Sequence, residues 1–278
     1  MIIKTKPFVK WAGGKTQLLD RLEVRRPEFY NRYYEPFIGG GALLLDLQPW
    51  KAVINDTNEQ LVNIYKQLKF DVGSVIAAVN ELDSQPCDKE RYLLLRDTYN
   101  IKIQTRELSP ESAALLIWIN KHCFNGLYRV NRKGLFNVPY NGKTIGASID
   151  AENLRNIGYY LRANDIEIRQ GDFEAACVDV RPGDFVYFDS PYAPIGDMAN
   201  FTDYTKEGFL LEDHKRLAAL YRRLSDRGVK VMLSNHDVPL VRELYSGFTI
   251  ESVDVRRAIN RDASNRSGKE VIITNYLF

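Results

Sequence analysis

The chain has 278 residues, 45% of them hydrophobic, which suffices for one substantial core or for a core with an inserted subdomain. No stretch approaches the roughly 18 uninterrupted apolar residues of a membrane span. The opening MIIKTKPFVKW lacks the apolar run of a signal peptide, and Cys87, Cys123 and Cys177 show no CxxC spacing, so a cytoplasmic protein with neither disulfides nor a metal is expected. The net charge of +2 is segregated: residues 1–26, 121–143 and 253–269 together carry +13 and the remainder −11. That suits a phosphate-binding face on an acidic body, although any one basic loop reads equally well as solvated surface.

Taken from the N-terminus, the first feature is Phe8-Val9-Lys10-Trp11-Ala12-Gly13-Gly14-Lys15, a glycine turn between an aromatic plate and a cation. Gly13-Gly14-Lys15-Thr16 lacks the first glycine of a phosphate-binding GxxxxGK[ST] loop, whereas a carboxylate would suit Lys15. Tyr33-Tyr34-Glu35-Pro36-Phe37 reads as a strand running into Gly39-Gly40-Gly41, and the apolar run 42–47 opens a helix. Glycines there let the backbone turn sharply and approach a ligand, or simply make the turn. The next strand, Ala52-Val53-Ile54-Asn55-Asp56, sets Asp56 seventeen residues after Gly39, where its carboxylate suits ribose hydroxyls; a helix cap is the other reading.

Between 60 and 149 the pattern changes to long helical stretches, followed by a polar, aromatic segment with five cations and no acid between 121 and 143. Asn125-Gly126 and Lys133-Gly134 predict the turns of a hairpin. Further on, Asp184-Phe185-Val186-Tyr187-Phe188-Asp189 is the most apolar strand and ends in Asp189-Ser190-Pro191-Tyr192. A helix at 211–227 and strands at 230–233 and 270–276 complete the pattern. Alternating strands and helices predict a Rossmann-like, doubly wound α/β fold with a mostly parallel sheet and ligands at the carboxyl ends of its strands. The expected division is 1–59 with 150–278 as one domain, and 60–149 as a mainly helical insertion carrying the hairpin.

The tetrapeptide at the end of the apolar strand suits a particular chemistry. An aromatic amine is a poor nucleophile because its lone pair is delocalised into the ring. The Asp189 carboxylate and the Ser190 carbonyl can accept its two N–H hydrogens and hold the nitrogen in line with an electrophilic methyl group. Tyr192 can stack on a base that has left a duplex, although the tetrapeptide in isolation reads equally as a turn.

Together with Asn125-Gly126-Leu127-Tyr128-Arg129, Phe136-Asn137-Val138-Pro139 and Ser234-Asn235-His236-Asp237, these motifs resemble the GATC-type DNA adenine-N6 methyltransferases, in order over nearly the whole chain. Glycine motif, recognition insert and catalytic tetrapeptide follow in the order of the alpha group of amino-methyltransferases. The resemblance implies S-adenosylmethionine as cofactor and duplex DNA as partner, with 60–149 as the target-recognition domain and a monomer or weak dimer in solution. It implies that Trp11, Lys15, Glu35, Phe37, Gly39, Gly41, Asp56 and Asp189 serve the cofactor, with Asp172 and Phe173 at its adenine. Asp189, Ser190, Pro191 and Tyr192 form the catalytic set. Lys10, Phe124, Asn125, Leu127, Arg129, Lys133, Pro139 and Lys143 meet DNA, where an Arg suits guanine O6/N7 and a Leu a thymine methyl. The segment from Ala199 to Tyr204 is expected over the cofactor or beside phosphate, and His214 and His236 take no catalytic part.

One position departs from the family pattern, which has Asp-Pro-Pro-Tyr at the catalytic strand end. Ser190 replaces the first proline; it keeps the carbonyl but loses the φ lock and adds a hydroxyl and an N–H. Two other readings therefore stay open: a catalytically silent DNA-binding homologue, and a cytosine-N4 methyltransferase. Pro86-Cys87 spells the dipeptide of a cytosine-C5 nucleophile, but it sits in a polar loop with no preceding strand.

Overall fold

The computed structural model describes residues 4–143, 146–194, 208–256 and 267–277, with Arg256 and Ser267 as backbone only. Its strands are β1 (Tyr33–Glu35), β2 (Lys51–Asp56), β3 (Asp165–Gln170), β4 (Phe185–Phe188), β5 (Lys230–His236), β6 (Thr249–Arg256) and β7 (Ser267–Thr274). They form a seven-stranded sheet in the order β3-β2-β1-β4-β5-β7-β6. Strands β2, β1, β4 and β5 run parallel, and β7 is antiparallel to both β5 and β6. The α-helices in chain order are α1 (Leu19–Glu23), α2 (Ala42–Leu47), α3 (Glu59–Asp83), α4 (Lys89–Gln104), α5 (Pro110–His122), α6 (Ala151–Ala163), α7 (Phe173–Ala176), α8 (Leu211–Asp226) and α9 (Pro239–Leu244). This is the expected α/β class with a mostly parallel sheet. No helix among the described residues is long and apolar enough to cross a membrane.

The chain forms two compact units. The sheet unit comprises Lys15–Ile38, Lys51–Asn55 and Asp172–Phe278. Every residue of β4, Phe-Val-Tyr-Phe, is buried, as a parallel strand covered on both faces requires. Helix α8 turns Leu217, Leu220, Tyr221 and Leu224 inward at helical spacing, into a core with Phe188, Val231, Leu233, Val271 and Ile273. Strand order reverses between β1 and β4, so Glu35 and Asp189 lie at the carboxyl ends flanking the switch point, where such sheets place ligands.

The helical unit comprises Met1–Gly14, Gly39–Trp50 and Asp56–Gly171, and segment 60–149 lies wholly within it. Helix α5 is its centre, buried from Ser112 through Asn120 and started by Ser109, whose hydroxyl accepts from Ser112 N ahead of Pro110. Helix α3 is capped by Asn58, which accepts from the N–H groups of Gln60 and Leu61, so Asp56 is not the cap. A kink at Asp71 divides α3, and Asp71 restarts it by accepting from Ser74 N at 3.2 Å.

The predicted hairpin is an irregular excursion, not a strand ladder. Residues 123–140 are joined by two isolated bridges, Cys123 with Tyr140 and Val130 with Phe136. Lys133-Gly134 does form a tight turn, closed by Asn131 N on Leu135 O at 2.8 Å. Asn125-Gly126, with φ of 57° and 67°, forms instead a left-handed turn directly after α5, closed by Leu127 N on Phe124 O at 3.2 Å. Side chains from α4 take the place of a ladder: Asn100 bonds both the N–H and the carbonyl of Phe136, and Tyr92 bonds the carbonyl of Val138.

Candidate active site

In the sheet unit, three of the residues singled out from sequence converge at the end of β4. Lys15 Nζ forms an ion pair with Asp189 Oδ1 and donates to the Tyr192 hydroxyl at 3.1 Å. The Lys15 side chain is 3% exposed, and burial alone would push its pKa down; the Asp189 carboxylate, helped by Tyr192 and Glu270, outweighs this and holds it above the ordinary lysine range. Burial pushes the Asp189 carboxyl up and Lys15 pulls it back. The Lys15 ammonium and the Asp189 carboxylate thus face one another as a buried pair.

Asp189 is also approached by Ser234 Oγ, again at Oδ1 and at 3.3 Å, and Ser234 is paired in turn with the Tyr187 hydroxyl at 2.7 Å. One carboxylate oxygen is thus held, while no described residue donates to Oδ2. The same is true of the Ser190 carbonyl. Two acceptors at one strand end therefore have spare capacity, which is what a primary aromatic amine needs.

Asn235, at the end of β5 and 2% exposed, fixes the tetrapeptide. Its Nδ2 donates to Ser190 Oγ at 3.1 Å and to Pro191 O at 3.2 Å, while its Oδ1 accepts from Ala193 N at 2.8 Å. The hydroxyl that replaces the proline ring at 190 is thereby engaged. Tyr192 is held on two sides. His236 stacks on its ring at 3.9 Å with an interplanar angle of 2°, and its hydroxyl donates to Glu270 Oε1 of β7 at 2.7 Å. Asn235, Ser234 and Glu270 are contributors that reading the sequence did not assign; Ser234-Asn235-His236-Asp237 was the one available signal for the first two.

The remaining expected residues of this unit lie elsewhere in it. Glu35 is buried and accepts from the Tyr33 hydroxyl at 2.7 Å. Phe37 packs on Phe173 with centroids 5.4 Å apart, and both meet Phe209. Asp172 caps α7 through Glu174 N and pairs with Arg216, whose guanidinium lies 4.9 Å from the Phe173 ring centroid. The expected segment Ala199 to Tyr204 lies outside the described residues.

In the helical unit, Trp11, Gly39 and Asp56 come together. Gly39 has φ +48°, and a Cβ built there would lie 3.0 Å from Trp11 Cδ1, so any other residue would strain the backbone and press on the indole. Asp56 accepts from Gly39 N at 3.1 Å and from Asn58 N at 2.9 Å; burial raises its carboxyl and these backbone donors oppose the rise. Gly41, also left-handed at φ 69°, is the N-cap of α2.

The expected DNA-contact residues come from the excursion after α5 and, with Lys10, from the irregular segment before Trp11. Asn120 of α5 clamps both backbone groups of Lys10, at 2.8 and 2.9 Å, and also the Gly126 carbonyl at 2.9 Å. A Cβ on Gly126 would meet Lys10 at 2.6 Å. Phe124, Asn125, Arg129, Lys133, Pro139 and Lys143 are exposed and Leu127 is partly so. Arg129 is oriented by Asn137, through Nε on Oδ1 at 2.8 Å and Nη2 on the carbonyl at 3.3 Å. None of the five cations between 121 and 143 forms an ion pair among the described residues, so this face presents uncompensated positive charge.

Comparison with known proteins bears on this geometry. The sequence profile of the family described as D12 class N6 adenine-specific DNA methyltransferase matches residues 11–259. The type II methyltransferase M1.LlaDCHI of Lactococcus lactis subsp. cremoris is 44% identical, over 99% of this chain and 96% of that protein. The type II methyltransferase M.MjaIII of Methanocaldococcus jannaschii is 40% identical, over 99% and 100%. The DNA adenine methylase of Escherichia coli (strain K12) is 30% identical, over 98% and 96%.

Proposed function

The chain belongs to the D12 class of N6 adenine-specific DNA methyltransferases, and from that premise we propose that it uses S-adenosylmethionine to methylate adenine N6 in duplex DNA at GATC, acting on an adenine turned out of the helix. The observation that carries this reading is the strand end at Asp189, where a held carboxylate and an unspent carbonyl stand beside an aromatic ring. S-adenosylmethionine supplies an electrophilic methyl group on a cationic sulfur. Asp189 Oδ2 and the Ser190 carbonyl accept the two amino hydrogens, which keeps the nitrogen lone pair directed at that methyl group. Tyr192, stacked on His236 and with the Lys15 ammonium 4.5 Å from its ring centroid, is the aromatic ring at this strand end that meets the flipped base.

The donor set fits the cofactor. Trp11, Gly39 and Asp56 form a cradle that a Cβ would fill, and Asp56 retains lone pairs for ribose hydroxyls. The family resemblance adds Glu35, Phe37, Gly41, Asp172 and Phe173 to the residues assigned to the cofactor, and Glu270 keeps a buried carboxylate oxygen without a partner among the described residues. We assign target recognition to 60–149 and catalysis to 1–59 with 150–278. In the recognition segment, Arg129 reads a guanine edge, Leu127 a thymine methyl, and Lys10, Lys133 and Lys143 meet phosphate, with Phe124, Asn125 and Pro139 alongside. Two relatives named type II methyltransferases support a role as the modification partner of a restriction system.

The test is transfer of labelled methyl groups to matched duplexes with and without GATC, followed by nucleoside identification. N6-methyladenine from the GATC duplex alone is expected. N4-methylcytosine would make the chain a cytosine enzyme, and DNA binding without transfer by folded protein would make it a silent homologue.

A further inference from the structure

The groups at the end of β4 form one buried chain of donors and acceptors. Lys15 gives hydrogen bonds both to Asp189 and to the Tyr192 hydroxyl, and Tyr192 gives its own to Glu270. One ammonium therefore stands between two carboxylates. Lys15 neutralises its direct partner Asp189, and the second negative charge, on Glu270, has no cation of its own among the described residues. Glu270 is 7% exposed, its Oε1 is spent on Tyr192, and its Oε2 is buried without a partner. A buried carboxylate in that condition is costly unless a positive charge is brought to it.

Strand β7 puts it there by register. Glu270 is the direct partner of His236 across β5 and of Val253 across β6. It thus sits level with the ring that stacks on Tyr192, beside the methyl-transfer site and not at the sheet's far end. Packing does not require an acid here, because the neighbours on β7, Val271, Ile272 and Ile273, are buried and apolar.

We propose that Glu270 supplies the net negative charge of the methyl-transfer site and thereby favours the cationic sulfonium cofactor over its neutral thioether product. The inference rests on the reading that this site uses S-adenosylmethionine. Methyl transfer moves one bond: the carbon leaves sulfur, which keeps the bonding pair, and joins the adenine nitrogen, which then releases a proton to solvent water. The positive charge is gone from sulfur afterwards, so an unbalanced carboxylate holds the reactant more tightly than the spent product. At the same time it stabilises the charge as it passes toward the amine. Lys15 and Tyr192 transmit no charge; they fix where the carboxylates stand.

The experiment is calorimetric titration of the full-length protein with S-adenosylmethionine and, separately, with S-adenosylhomocysteine. Glu270→Gln keeps an acceptor for the Tyr192 hydroxyl and removes the charge. Its ratio of the two dissociation constants should move by about tenfold or more against the sulfonium compound, because at an effective dielectric near 20 one unit charge still gives about that factor at roughly 12 Å. Binding of the thioether should change by less than about twofold. Glu270→Asp keeps the charge and should keep the wild-type ratio even where both affinities fall. Glu270→Met is a second neutral variant, to be read in the same way if the glutamine protein does not fold. Equal weakening of both ligands in the neutral variants would make Glu270 a packing residue and overturn the proposal, as would an unchanged ratio. Failure of the wild-type protein to bind either compound would instead reject the cofactor assignment itself.

Discussion

Removing Asn235 should damage catalysis far more than it damages the fold. In Asn235→Ala the buried Ala193 N–H loses its acceptor, and an unsatisfied buried donor costs about 1–3 kcal/mol. Such a loss leaves most single-domain proteins folded at 25 °C. The same substitution frees Ser190 Oγ and Pro191 O, so the segment that carries the amine acceptors is tethered at neither position. A displacement of about 1 Å of a catalytic group costs roughly 100-fold in rate. We expect kcat for methyl incorporation to fall by about that factor, in protein that urea unfolding shows to be folded under the assay conditions. Ser190→Pro removes one of the two tethers while restoring a fixed φ, and should change turnover little. Asn235→Ala with kcat within about threefold of wild type, measured on destabilised but folded protein, would show that Asn235 serves only the sheet and does not position the tetrapeptide.

Asp189→Ala should nearly abolish methyl transfer while the fold persists, read from labelled methyl incorporation and circular dichroism; wild-type turnover would remove Asp189 from the mechanism. Arg129→Ala should cost about 1–3 kcal/mol and relax preference at one base pair, whereas Lys143→Ala should weaken all sequences alike and flatten the salt dependence by about one unit of log–log slope. Methylation of GATC and its single-base variants across several salt concentrations separates the two, and uniform loss in Arg129→Ala would make it a phosphate contact. His122, buried between Trp118 and Ser148, has its pKa lowered to about 4, mainly by burial. Because the unfolded imidazole takes its proton near pH 6.5, stability is full above that value and falls as pH drops toward 4, by up to about 3 kcal/mol from this group. Relative to His122→Gln, wild type should lose that much stability in urea titrations between pH 7 and 4; parallel curves would contradict the burial argument.

The strands legible in the sequence are those whose burial leaves no choice of residue. Phe185–Phe188 has only apolar and aromatic side chains because both its faces are covered, and Val231, Met232 and Leu233 are likewise buried in a strand paired on both sides. Strands β3 and β6 gave no such signal. Asp-Ile-Glu-Ile-Arg-Gln buries Ile166 alone, and Thr-Ile-Glu-Ser-Val-Asp-Val-Arg alternates acids with valines. Both are edge strands, which pair on one side only and tolerate charge for that reason. Asn125-Gly126 was legible as a turn because two successive positive φ angles demand such residues, but a turn does not declare what it joins. Here it ends a helix, and the segment beyond is held by Asn100 and Tyr92, whose contacts no periodicity encodes.

The candidate site divides along the same line. Asp189 and Tyr192 were found because chemistry at a strand end is written into a short contiguous stretch, and Lys15 because a glycine turn advertises a nearby cation. Their partners come from other strands, and which side chain arrives depends on register. Asn235 reaches residues 190–193 from 42 to 45 positions away, through the parallel pairing of β4 with β5. Glu270 reaches Tyr192 from 78 positions away only because β7 runs antiparallel and sets residue 270 opposite His236. A one-residue slip of β7 would turn the carboxylate to the other face and bring Val271 to Tyr192. Glu270 at the start of an apolar run reads in sequence as the polar first residue of a strand. Its function is a property of alignment between strands, and it is therefore the part of the site that required the fold to be seen.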